Sequence, residues 1–70
     1  MRYFYEYKEK NGSEVGGHNL EKIDVFDNYI ILLGVDILQT KYGYEAQFWR
    51  TLLDMNNIEY LTIRPMEDEE

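Results

Sequence analysis

The sequence predicts an α+β fold: a small antiparallel or mixed sheet of three to four strands, in the order β-β-β-α-β, with one helix packed on one face. Three observations lead there. Residues 2–9 alternate with the two-residue period of a strand, 22–33 hold two β-prone runs separated by two turn-forming residues, and from Tyr44 apolar residues recur at three- and four-residue spacings. Seventy residues make one domain, and a domain of that size buries only about 60% of the surface of its unfolded chain. Function is therefore expected on the outside of a small fold.

The elements follow in order. In 2–9, Tyr3, Tyr5 and Tyr7 share one face and Arg2, Phe4, Glu6 and Lys8 the other, as in a half-exposed strand. Asn11-Gly12 marks a turn because both residues tolerate positive φ, and Gly16-Gly17 extends the irregular segment to about Asn19. A second strand begins near Glu21. Lys22-Ile23-Asp24-Val25-Phe26, then Asp27-Asn28, then Tyr29-Ile30-Ile31-Leu32-Leu33 describe a tight hairpin whose second run, apolar on both faces, belongs at the centre of a sheet or under a helix. Gly34 reads as a bulge or a strand end, and 35–43 as a strand continuation, an early helical turn or a loop. Phe48, Trp49, Leu52, Leu53 and Met55 then form an apolar stripe on a helix of about three turns, with Glu45 complementing the dipole at its start. Asn56-Asn57 stops the helix, 58–64 alternate as a last strand, and Pro65 closes it.

The formal net charge is -7, and its distribution divides the chain. Glu67, Asp68, Glu69 and Glu70 form an unbroken run, so residues 1–66 read as the α+β domain and 67–70 as an acidic, disordered tail. No cysteine is present, which removes disulfides and thiolate metal sites and favours a reducing cytoplasm. The alternation at 2–7 is unlike the continuous apolar stretch of a signal peptide. The longest apolar run, 29–35, is too short to cross a bilayer as a helix.

Catalytic equipment is sparse. The sole histidine, His18, sits in the glycine-rich segment with Ser13 as the only serine, and reads as a loop residue rather than a general base or metal ligand. Gly16-Gly17 lacks the Lys-Ser/Thr of a phosphate loop. The carboxylates read as solvated charges, because shifted pKa values need burial. The expectation is a binding protein without enzymatic activity, cofactor or metal.

Direct nucleic-acid binding is disfavoured, since seven scattered bases are outnumbered two to one by acids. The inverse suits the composition better: acids that imitate phosphates and occupy the basic cleft of a DNA-binding protein. Same-face residues on a strand repeat every ~6.6–6.8 Å, close to the spacing of phosphates along a strand of duplex. The candidate contact residues are Glu14, Glu21, Asp24, Asp27, Asp36, Glu59 and the run Glu67, Asp68, Glu69 and Glu70. Tyr3, Tyr5 and Tyr7 serve equally as an edge of the core or as partner contacts.

In size, acidity, tyrosine content and lack of cysteine, the whole chain resembles the small host-takeover proteins of bacteriophages. Several of those are DNA mimics, including the phage inhibitor of the histone-like protein HU; anti-CRISPR proteins and phage inhibitors of uracil-DNA glycosylase share the profile. The resemblance implies an inhibitor that blocks a nucleoid protein such as HU, or a nuclease, in the host cytoplasm. The alternative is a small structural or self-associating module, joined through the apolar hairpin or an exposed sheet edge as a homodimer, with acidity serving solubility.

Overall fold

A computed structural model describes residues 1–66. Their backbone forms five antiparallel strands and no helix: β1 (Tyr3–Glu9), β2 (Glu14–Val25), β3 (Tyr29–Thr40), β4 (Gly43–Asp54) and β5 (Ile58–Pro65), in the sheet order β4-β3-β2-β1-β5. The expected α+β class is therefore corrected to all-β. The four-residue acidic run lies outside the described residues.

The stretch expected to be helical is β4, paired with β3 in unbroken register from Tyr29↔Asp54 to Thr40↔Gly43. Its pattern suits both periods. Phe48, Trp49, Leu52 and Leu53 lie on one side of a helix, but on a strand each adjacent pair divides, sending Trp49 and Leu53 to one face and Phe48 and Leu52 to the other. Twelve-residue partners in register supply a full ladder of backbone hydrogen bonds, and that pairing outweighs the ambiguous periodicity.

The ambiguous residues 35–43 continue β3 to Thr40 and turn at Lys41-Tyr42 into β4. Gly34 lies inside β3 and does not end it. Gly16, Gly17 and His18, expected in a loop, belong to β2, which begins at Glu14 and not near Glu21. The Asp27-Asn28 hairpin forms as expected, closed by the Phe26 N–H donating to the Tyr29 carbonyl at 2.9 Å. The Asn11-Gly12 turn also forms, with Gly12 at φ 99°.

Among the described residues no helix covers this sheet; it covers itself by curling. β4 and β5 stand at opposite edges, which in a flat five-stranded sheet are about 19 Å apart. Yet four Cα steps from Asp54 to Ile58 reach at most about 15 Å. A bond from the Asn57 N–H to the Asp54 carbonyl shortens that link further, and Met55 and Asn57 bond across to Asn28 and Lys10 at the ends of the neighbouring hairpins. Two register shifts in β2, one at His18–Asn19 and one at Glu21, add residues that sharpen the bend.

The concave side holds the core. Leu20, Leu32, Leu53 and Tyr7 are buried there, flanked by Tyr3, Tyr5, Ile23, Ile30, Trp49, Ile58, Leu61 and Ile63. Trp49 lies against Gly34, where a Cβ would run into the indole ring and stand 2.5 Å from the Asn19 carbonyl oxygen. Tyr5 lies against Gly17 in the same manner.

β2 accompanies β3 only from Leu20↔Gly34 to Val25↔Ile30. Beyond Gly34, residues 35–48 have only each other, and form a two-stranded arm that helps stretch the molecule to 43 Å against 23 and 22 Å across. Gly34→Ala is expected to destabilise the fold by about 2 kcal/mol, the middle of the overpacking range, because the new methyl meets backbone as well as ring. A urea midpoint equal to that of the parent chain would contradict this packing account.

Candidate binding surfaces

Two surfaces stand out, on opposite sides of β3 and β4. The register assigns each residue to its face: Leu32, Gly34, Asp36 and Leu38 point inward with Thr51, Trp49, Gln47 and Glu45 opposite them. Tyr29, Ile31, Leu33, Val35, Ile37 and Gln39 point outward, opposite Asp54, Leu52, Arg50, Phe48, Ala46 and Tyr44.

On the inner side, where the core gives way to the arm, an open concavity of about 390 Å³ is lined by Tyr5, Gly16, Gly17, His18, Asp36, Trp49 and Thr51. Its aromatic floor is the Tyr5–Trp49 pair, with centroids 5.7 Å apart and rings tilted by 42°. Both rings can lie flat because the backbone beneath them belongs to glycines. Asp36 is half-buried at this floor, and the Asn19 side-chain amide donates to its carboxylate at 3.2 Å. Asn19 in turn accepts from the Arg2 guanidinium at 3.3 Å. The β2 bulge makes this relay possible, holding Asn19 at φ 65°, a conformation that Asn tolerates better than most residues.

Burial raises the Tyr5 hydroxyl above the ordinary tyrosine pKa, with Tyr7 and the Asp36 carboxylate adding to the shift. Each disfavours a phenolate in the partly desolvated groove.

The outer face is apolar and open. Phe48 is 79% exposed, Tyr44 77%, Leu52 62% and Ile37 52%, and Arg50 and Asp54 are its only charged residues along β3 and β4. Its net charge is zero in a chain of -7.

The acids expected to form one mimetic row are not brought together. Glu14, opposite Lys8, and Asp24, opposite Ile31, share the outer side, where Asp24 lies 3.6 Å from Lys22 Nζ. Asp36 faces inward, Asp27 sits in an exposed turn, Glu21 at a bulge, and Glu59 is exposed on β5. Glu67, Asp68, Glu69 and Glu70 lie outside the described residues. Tyr3, Tyr5 and Tyr7 face the core: Tyr7 is buried and stacks with Tyr5 at 6.3 Å. Among the described residues, no three His, Asp or Glu side chains converge as a metal site, and no helix is long and apolar enough to cross a membrane.

Sequence reasoning missed Trp49, Phe48, Leu52 and Asn19 as surface-forming residues. Reading 44–54 at a two-residue period separates Trp49 from Phe48 and Leu52; nothing in the sequence marks Asn19. No protein-family model, curated protein or solved structure matches the chain.

The Tyr5 shift makes a signed prediction. Its raised folded-state pKa means that the native state holds a proton which the unfolded state releases from about pH 10 upward, so this stability is intact below pH 10 and is lost as pH rises through the folded value. Tyr5→Phe should therefore flatten the alkaline loss of stability relative to the parent chain. Identical urea midpoints against pH for both chains, up to pH 11, would count against a desolvated Tyr5.

Proposed function

We propose that this chain is a self-associating protein-interaction module in which the outer faces of two β3–β4 ribbons pack against each other. The carrying observation is the outer face, aromatic-rich and without net charge, of an 8.5 kDa chain whose described residues include only four buried hydrophobic side chains. A patch of this kind on a small chain supports association.

A second copy is the occupant that the charge favours. Two chains of like sign repel over most of their surfaces, but this face brings no net charge to the contact. In a twofold face-to-face arrangement, Phe48, Leu52 and Ile37 of one copy meet apolar side chains of the other, as in a sheet-on-sheet core. Two strands of 12 residues present a face of roughly 40 × 10 Å. Counted over both copies that footprint is about 800 Å², below the ~1,000 Å² that stable specific interfaces clear, so the association should be weak, with a dissociation constant between micromolar and millimolar.

Sedimentation velocity from micromolar to millimolar concentration should show the mass rising from 8.5 kDa toward twice that value. Phe48→Asp, at a position 79% exposed and so of little consequence for folding, should hold the chain at the monomer mass. A parent chain that stays monomeric throughout, or a variant that associates equally well, refutes the proposal.

A second reading is an acidic inhibitor that occupies the DNA site of a basic protein, and one observation favours it. Among the described residues, Asp24 is the only acid in ion-pair contact with a base, so the other described carboxylates are not neutralised by a base of the same chain. Because the acids lie on both sides of the sheet, this reading rests on overall field and not on a phosphate-like row. Its mark is binding that weakens steeply with salt and is competed by duplex DNA.

A further inference from the structure

We infer that the inner concavity is a binding site for a single arginine side chain of a partner protein, with the guanidinium lying over Trp49 and Tyr5 and paired to Asp36. The site is separate from the outer face assigned to self-association, and the inference stands without that reading.

Three features converge on this ligand. The floor is aromatic, and a cation within about 6 Å of such ring centroids is attracted by their quadrupoles, Trp most strongly. Gly17 and Gly34 keep the backbone beneath the rings bare, so that both lie against the sheet and floor an open concavity. The negative charge is placed and held: the Arg2–Asn19–Asp36 relay fixes the carboxylate through Oδ1, while no lysine or arginine among the described residues lies in ion-pair contact with it. This half-buried carboxylate lines the concavity with the two rings, and the cation tied to it, Arg2, is held one Asn19 side chain away rather than in direct contact.

The geometry distinguishes arginine from lysine. A guanidinium is planar, stacks on an aromatic face and offers a fork of donors to a carboxylate at the same time, whereas an ammonium is a strongly hydrated point charge. Arg2 does not fill this role, since its guanidinium is engaged by the Asn19 side-chain oxygen. The bulge that sets Asn19 at φ 65° is what places its amide against Asp36 and its oxygen against Arg2.

Trp49 is the only tryptophan, so its fluorescence reports this site alone. The probe is N-acetyl-arginine amide, with N-acetyl-citrulline amide as the neutral isostere and N-acetyl-lysine amide as the point-charge control. A ligand of this size should bind with a dissociation constant on the order of millimolar. We expect saturable quenching by the arginine compound, at least fivefold weaker binding of the lysine compound, and no saturation with citrulline. Asp36→Asn, which preserves shape and a partner for Asn19, should weaken arginine binding at least tenfold. Phe48→Asp should leave it unchanged, so failure of the self-association reading does not touch this one. Equal responses to arginine and citrulline, or an Asp36→Asn chain that titrates like the parent, overturn the inference.

Discussion

The missing side chain at Gly34 is the constraint on which the rest of the structure depends. A curled sheet with no helix must fill its own concavity, and this one does so with large residues projecting from the strands. Trp49 can fold down onto β3 only because its cross-strand partner is Gly34; any Cβ there meets the indole ring and the Asn19 carbonyl. Gly17 does the same for Tyr5. The two rings seated on bare backbone close the core at this end and also make the floor of the groove. The packing and the floor of the concavity thus come from one arrangement.

Charge and apolar surface are sorted to different places. The described acids lie at turns, at the Glu21 bulge and on both sides of the sheet, while the outer face of β3 and β4 carries one acid and one base at its core-proximal end. Such sorting has consequences for association. Uniform acidity would keep copies apart at all contacts, whereas a neutral stripe leaves one orientation in which burying Phe48, Leu52 and Ile37 works against little repulsion.

Much of the β structure was legible in the sequence, and the largest error has a physical source. The tyrosine alternation of β1, the Asp27-Asn28 hairpin and the alternation before Pro65 each appear as expected, because period two and turn chemistry are local signals. The β4 segment failed because a spacing of four is even: Tyr44, Phe48 and Leu52 lie on one side of a strand as readily as of a helix. Its partner strand decided the matter, and pairing is not local. Gly34 reads as a bulge or a strand end for the same reason, since the space it leaves is seen to be filled only once Trp49 lies opposite it. Among the candidate contact residues, Asp36 was chosen for its charge alone. Its inward position and its hydrogen bond from Asn19 depend on a bulge that no residue pattern announces.

Burial falls along β3 and β4 from the packed end to the tip. Near Leu32 and Leu53 the ribbon is part of a five-stranded sheet with a core on its inner side. Past Gly34 and Trp49 it is a bare two-stranded hairpin, a form that is marginal in water when isolated. The arm is held at its root by the Trp49 contact and at its tip by Thr40, whose hydroxyl accepts from the Tyr42 N–H and donates to the Gly43 carbonyl, each at 3.2 Å. Substitutions at the root therefore act on the whole fold, while those at Phe48 or Tyr44 act on a surface that the fold does not use.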